Sequence, residues 1–445
     1  MPASENNRPP SLADQLRALG VRSGASSQPP PAPRNPYAVE NVLDGSAWQT
    51  PQGETYAVEQ RYPTGQPHGQ AALEISWPLK TLAEWAGAPQ LAELPVEAFA
   101  FLDTETTGLS GPSGTYAFLI GVGRFESDGS FHLAQFFLRD PSEESAQLAA
   151  LEAFLAPCQA VVTFNGKAFD VPLLLARYTL QSWPPPLTDL AHVDLLHLAR
   201  RLWRERLPSR SLANLEAQIL GALRSEDDIP GWAIPALYFQ YLHDGDARPL
   251  KQVFYHNAMD ILSLAALMNY LAGLLSDPLA LGSRYSLDLF ALARLFDDLG
   301  DPETAAHLYL SGLEHEDVRS QRIPPAILVQ TLQRLALLHK RRQNLDAAIQ
   351  LWEQAAHHHS LPAHVELAKC YEHQLKNYAQ AVSWTRAALA VVQNDGAAGS
   401  PLLSPFERRQ WQTDLQRRLE RLERLERKTT TRHEPQPGSL QEPQA

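Results

Sequence analysis

The chain has 445 residues, 44% of them hydrophobic, and a formal net charge of −12. That length and apolar content allow two or three folded domains, while the charge argues against binding a polyanion over a broad basic surface. A site that holds divalent cations brings its own positive charge to a phosphate, so the acidity leaves metal-dependent nucleic-acid chemistry open.

The first residues, MPASENNRPP, have neither the positive start nor the apolar stretch of a secretory signal. No uninterrupted run of about 18 apolar residues spans the body. The nearest, Ile261 to Leu275, is broken by Ser263, Asn269 and Gly273. The two cysteines, Cys158 and Cys370, show no CxxC spacing, which indicates neither a disulfide framework nor a zinc site. A cytoplasmic protein with no membrane association is expected.

Residues 1–45 are rich in Pro, Ser and Asn, with PPPAP at 29–33, and are expected to be a mostly disordered lead. Within it, Leu12 to Leu19 has the apolar spacing of a short docking helix. Residues 46–97 hold turn-rich segments and predict a small β-rich extension. From Phe99 the signals strengthen. Strands are predicted at Phe99 to Leu102, Tyr116 to Phe125 and Phe131 to Leu138, with Asp128-Gly129 turning between the last two. A helix over Glu143 to Leu155, a strand over Ala160 to Phe164 and a helix over Val171 to Leu180 complete a βββαβα order. That order matches an α/β ribonuclease H-like domain, a mixed sheet with helices on its faces, over residues 98–277. Further helices are predicted at Asp194 to Arg206, Ser211 to Leu220 and about Leu250 to Leu275.

After residue 285 strand signals disappear. The segments at 300–313, 343–356 and 376–389 each set small alanines beside Trp, Tyr or Leu anchors, with Ala306, Ala348 and Ala381 in matching places. These spacings resemble tetratricopeptide repeats and predict an all-α helical repeat domain over residues 286–395. Residues 401–445 read as a charged helix, Phe406 to Lys428, and a disordered tail. Its alternating Arg and Glu favour a self-pairing solvent helix or a partner contact.

Asp103 and Glu105 stand at i and i+2 at the end of a predicted strand, so both carboxylates leave one face of the sheet. Two such groups repel unless a cation lies between them, and hard oxygen ligands suit Mg²⁺ or Mn²⁺. On its own, DTET reads as well as a polar strand end. The neighbourhood changes that balance.

FLDTETTGL resembles the first motif of DnaQ-like exonucleases, with Thr106, Thr107, Gly108 and Leu109 matching the loop that packs on the terminal nucleotide. Asn165-Gly-Lys-Ala-Phe169-Asp170 resembles the second motif, and Tyr255-His256-Asn-Ala-Met-Asp260 the third. The segments HVDLLHLARRLW, SRSLANLEAQILG and EDDIPGWAIPALYFQYLHDGDARPL make the chain similar, over roughly residues 95–275, to the YprB-type ribonuclease H-like proteins of bacteria.

The resemblance implies hydrolysis of nucleic-acid phosphodiesters by a two-metal mechanism, as a 3′–5′ exonuclease on DNA or RNA. It assigns Asp103, Glu105, Asp170 and Asp260 to two cations, Mg²⁺ or Mn²⁺, and makes Thr106, Gly108, Leu109 and Asn165 substrate-binding residues. His256 becomes the general base. The third motif departs from the pattern, because His256 stands at the spacing usual for Tyr and Tyr255 at that usual for His. His256 shares the face of Asp260 if the helix starts before it; otherwise Tyr255 takes the place. Other readings are a catalytically silent scaffold that binds nucleic acid or protein, and a phosphodiesterase on small nucleotides. The helical repeats are expected to recruit a protein partner or shape the substrate path. An arginine cluster, Arg200, Arg201, Arg204, Arg206 and Arg210, reads equally as a phosphate contact and as a solvated helix face.

Overall fold

A computed structural model describes residues 35–108, 114–225, 228–394 and 403–430. The Leu12 to Leu19 segment and Leu109 lie outside those residues.

The centre is a seven-stranded mixed sheet in the order β1-β2-β7-β6-β5-β8-β9. Its strands are β1 (Ser46–Thr50), β2 (Gly53–Tyr62), β5 (Phe99–Thr106), β6 (Ala117–Phe125), β7 (Phe131–Phe137), β8 (Ala160–Thr163) and β9 (Ala191–Asp194). A two-residue hairpin, β3 (Pro67–His68) with β4 (Ala71–Ala72), lies apart. Strands β5, β8 and β9 run parallel, and the pairings among β1, β2, β7, β6 and β5 are antiparallel.

The helices of this region are α1 (Val39–Val42), α2 (Lys80–Ala86), α3 (Glu144–Leu155), α4 (Asp170–Leu180), α5 (Leu195–Trp203), α6 (Leu212–Leu215), α7 (Ile234–Asp244) and α8 (Leu250–Ser276). Alternation along β5 decides what each side chain meets. Phe99 and Phe101 enter one core with Ile261, Leu264 and Ala265 of α8. Ala100 and Leu102 enter the opposite core with Leu148 and Leu151 of α3 and Leu174 of α4. Both faces are covered, which is why the strand reads as a continuous apolar run.

The β-rich segment after residue 45 is not a separate extension. β1 and β2 continue the main sheet, with β2 in register on β7 from Tyr56↔Phe137 to Tyr62↔Phe131. Residues 35–45, expected within the disordered lead, pack on the fold. Asn35 Nδ2 donates to the Gly245 carbonyl at 2.8 Å, Val39 is buried, and Tyr56 Oη donates to the Leu43 carbonyl at 2.9 Å. Arg139 gathers Glu40, Glu54 and Glu143, each at 2.7–2.9 Å, tying α1, β2 and the entry to α3 together.

Among the described residues one helix, α8, is long and apolar enough to cross a membrane, and 83% of its apolar window is buried within the protein. The three residues that interrupt its apolar run dock the segment before β5. Asn269 Oδ1 accepts from Ser76 N at 3.1 Å, and the Ser263 hydroxyl lies 2.7 Å from His68 Nε2. Gly273 leaves room for Trp77, since a Cβ there would stand 2.8 Å from the indole nitrogen.

After α9 (Pro278–Gly282) the chain is helical: α10 (Ser286–Asp298), α11 (Pro302–Glu314), α12 (Glu316–Arg319), α13 (Pro325–Arg341), α14 (Leu345–His357), α15 (Leu361–His373), α16 (Tyr378–Gln393) and α17 (Pro405–Thr430). Consecutive helices pack in pairs, α10 on α11, α13 on α14 and α15 on α16. Ala306, Ala348 and Ala381 are all buried at these crossings. One apolar core runs without a break from Phe99 through α8 to Trp352 of α14 and Leu367 of α15. The charged helix α17 is neither solvent-pairing nor free. Its Leu415 and Leu422 are buried against α15 and α16, and Arg418 meets the buried Glu372 carboxylate at 2.7 Å. His357, His358 and His359 are exposed.

Candidate metal centre and its support

Asp103 and Glu105 share the parity of Phe101 on β5, so both point to the face covered by α8, while Thr104 points to the face of α4. The two sides receive different partners. On the first, ligand atoms of Glu105, His256 and Asp260 lie within 4.8 Å of one another. On the second, Thr104 Oγ1 donates to Asp170 Oδ1 at 2.5 Å, at the first turn of α4. Asp170 is therefore beside the acidic group and is held from the opposite side of the strand.

α8 begins at Leu250, six residues before His256, so the i, i+4 relation to Asp260 is real and His256 Nε2 lies 3.6 Å from Asp260 Oδ2. Tyr255, one step round the helix, turns away. Its hydroxyl accepts from Ser225 N at 2.9 Å, and its ring lines a cavity with Val58, Tyr62 and Met259.

Burial pushes the carboxyls of Asp103 and Glu105 well above the ordinary carboxylate range. The neighbouring acids push in the same direction: Asp260 and Asp170 on Asp103, and these two with Asp103 on Glu105. Asp170 and Asp260 are raised as well, chiefly by burial. Packing four acids this closely costs free energy without a cation. An all-oxygen donor set with one imidazole at its edge fits Mg²⁺ or Mn²⁺.

Six residues that the sequence reading missed support this group. Asn257 Nδ2 donates to Asp103 Oδ2 at 2.9 Å. Its own Oδ1 accepts from Gln135 Nε2 at 2.9 Å. Between Asp103 on β5 and Gln135 on β7 the sheet register places Gly121 of β6. A Cβ at Gly121 would stand 2.1 Å from Asn257 Oδ1, so the glycine makes the gap that Asn257 fills.

Arg224 is the second support. It ion-pairs with Asp260, and its Nε and Nη2 both reach Glu216 at 2.6 Å. Glu216 is buried, with only 2% of its side chain exposed, and also accepts from the Ser263 hydroxyl. It sits in a π-helical turn, Glu216–Leu220, where a regular helix was expected over Ser211 to Leu220. Only α6, capped by Ser211, is α-helical there. Such turns aim a side chain that a regular helix would place elsewhere. Asp228 Oδ1 lies 2.7 Å from His256 Nδ1 and fixes the ring.

The loop of the second motif is held by Asp194, which caps α5 through Leu196 N at 3.1 Å and also accepts from Asn165 N at 2.8 Å and Lys167 N at 3.1 Å. Asn165 takes a left-handed φ of 70°, a conformation asparagine tolerates. Thr106 follows a bulge in β5, and Gly108 is fixed where its carbonyl accepts from Thr115 Oγ1 at 3.0 Å. Two of the five clustered arginines pair with the helical region: Arg201 with Asp298, and Arg206 with Asp288 at 2.8 Å.

A mixed sheet with this order and an acidic group on β5 define a ribonuclease H-like protein. The RNase_H superfamily matches residues 100–272. The chain is 33% identical over 299 residues to the uncharacterized protein YprB of Bacillus subtilis (strain 168), covering 65% of this chain and 68% of that one. The chain belongs to the YprB family of ribonuclease H-like proteins. The family B DNA polymerase from the hyperthermophilic archaeon Pyrobaculum calidifontis is similar at 20% identity and a TM-score of 0.31, over 47% of this chain and 28% of that polymerase. Membership of the superfamily points to nucleic-acid hydrolysis.

Proposed function

We propose that the protein is a metal-dependent 3′–5′ exonuclease acting on DNA or RNA. The observation that carries this reading is the convergence of Glu105, Asp260 and His256 within 4.8 Å beside Asp103. Asp103, Glu105 and Asp260, with Asp170 from α4, would hold two divalent cations. Such ions, when bound, supply positive charge to a phosphate and lower the pKa of a coordinated water.

The protein's own groups do the rest. In the tautomer that gives Nδ1–H to Asp228, the His256 ring would present Nε2 as the atom that takes a proton from water, at the edge of the carboxylates. The backbone carrying Thr106, Gly108 and Asn165 is fixed beside β5 and β8, where a terminal nucleotide would pack. The 3′–5′ sense rests on the likeness of FLDTETTGL to DnaQ-like enzymes. The paired helices after α9 suit tetratricopeptide-like recruitment of a protein partner, and both cysteines are buried free thiols that suit the cytoplasm.

A second reading, a silent scaffold, draws on the Arg224–Asp260 ion pair, which already neutralises one carboxylate. Oligonucleotides of one sequence, labelled at the 5′ or the 3′ end, separate these readings. Stepwise shortening of the 5′-labelled strand with Mg²⁺ or Mn²⁺, and early release of the 3′ label as a mononucleotide, is the expected result. Release of the 5′ label first reverses the polarity. Cleavage confined to dinucleotides favours a small-nucleotide phosphodiesterase, and no cleavage favours the scaffold.

A further inference from the structure

Where α5 meets the first helices of the C-terminal region there is a cavity of about 300 Å³, room for roughly ten waters or a hydrated phosphate. Five arginines line it: Arg200, Arg201 and Arg204 from α5 and its exit, Arg294 from α10 and Arg334 from α13. Two carboxylates, Glu205 and Asp298, line it with them, Glu205 at 3.1 Å from Arg204, and a third, Asp297, meets Arg334 at 3.5 Å. In a chain of net charge −12 this is a local concentration of the opposite sign, and low-dielectric walls focus its field.

The charges are not all used internally. Arg201 spends one Nη on Asp298 and the Arg294 carbonyl, but its Nε is buried with no acceptor among the described residues. Arg294 is half-buried and forms no ion pair among them. Burial lowers its pKa, and Arg334 and Arg204 add to that. A buried, unpaired guanidinium N–H is costly to leave without a partner. The planar fork of arginine suits a phosphate, which accepts in the bidentate manner.

We propose that this cavity is an anion site that takes a phosphate group, bridging the ribonuclease H-like fold and the helical region. Asp194, the cap of α5, clamps the loop at 165–167, so Arg200 to Arg204 lie about 9–15 Å along the chain of the helix from that clamp. A phosphate there stands outside the acidic centre. It belongs to the backbone of a bound nucleic-acid strand, in which case the inference rests on the function proposed above, or to a free phosphorylated small molecule.

The test uses full-length protein carrying Asp103→Ala and Glu105→Ala, so that nothing is cleaved. Arg204→Gln, at a position whose side chain is 73% exposed, and Arg294→Gln are compared with this parent. A fluorescent single-stranded oligonucleotide is titrated over a range of salt, and the thermal shift given by inorganic pyrophosphate is read with chelator present. For a strand phosphate, each substitution weakens oligonucleotide binding about three- to tenfold, and the slope of log K against log salt becomes shallower by about 0.7 for each arginine–phosphate pairing removed. For a small molecule, oligonucleotide binding stays as in the parent and the pyrophosphate shift is lost. Both readouts unchanged in both variants overturn the proposal. Failure of the nuclease reading is visible separately, as wild-type protein that cleaves nothing while its pyrophosphate shift still depends on Arg204 and Arg294.

Discussion

Asn257 Nδ2 donates to Asp103 Oδ2 at 2.9 Å, across a gap that Gly121 leaves open in the middle strand of the sheet. The contact joins α8 to β5 at the acidic group. It fixes one carboxylate before any cation arrives.

Gly121→Ala should therefore act through Asn257. The added methyl displaces the amide, breaks its bonds to Asp103 and Gln135, and is expected to cost about 1–3 kcal/mol of stability with a 10- to 100-fold loss of Mn²⁺ affinity. In an Asn257→Ala background the same substitution should cost little, because the clash is gone. Chemical denaturation and Mn²⁺ calorimetry on the four proteins of this cycle check it. Additive losses would show that Gly121 matters for another reason.

The acidic group sets a pH dependence for the metal-free protein. The carboxyls of Asp103, Glu105, Asp170 and Asp260 are raised by burial above their unfolded values of about 4. The folded state then binds more protons than the unfolded state. Stability is full below about pH 4 and falls as pH rises through the raised values. Tm measured in chelator should fall from acid towards neutral pH as far as these groups dominate, and the gain in Tm on adding Mn²⁺ should grow over the same range. A Mn²⁺ effect that does not change with pH would contradict this account.

Arg224 neutralises Glu216, whose carboxylate is only 2% exposed. Arg224→Met leaves that charge without its bidentate partner and should cost about 3–5 kcal/mol, whereas Arg224→Met with Glu216→Leu should recover most of the loss. Urea denaturation reads both. Equal destabilisation in the single and double variants would place the role of Arg224 elsewhere.

His256 and Tyr255 should separate cleanly in kinetics. His256→Ala is expected to lower kcat about 10²- to 10⁴-fold while Mn²⁺ still binds through the carboxylates. Tyr255→Phe, which removes only an acceptor for Ser225 N, should stay close to wild type. The reverse ranking in steady-state rates would move the proton-transfer role to Tyr255.

Much of this was legible in the sequence, and the reasons are particular. The βββαβα order showed because β5 to β8 are buried on both faces and α3, α4 and α8 repeat at helical spacing. The first two strands showed only as a β-rich extension and not as part of the main sheet, because β2 carries a run of four buried residues, Thr55 to Val58, between more exposed ends, which matches neither alternation nor a long apolar strand. Asp103, Glu105, Asp170, His256 and Asp260 stood out through local motifs. Arg224, Glu216 and Asp228 did not, since their partners lie 8 to 36 residues away and no periodicity links them. Gln135 left one faint signal, a polar residue inside the apolar strand β7. The choice between Tyr255 and His256 depended on where α8 begins, a boundary the sequence left open.

The most direct test is metal-dependent hydrolysis of single-stranded DNA and RNA oligonucleotides by wild-type protein and by the Asp103→Ala/Glu105→Ala variant, both shown to be folded. The account predicts cleavage by the wild type with Mg²⁺ or Mn²⁺, none in chelator, and none by the variant. Cleavage that persists in the variant, or its absence in the folded wild type with either ion, would contradict it.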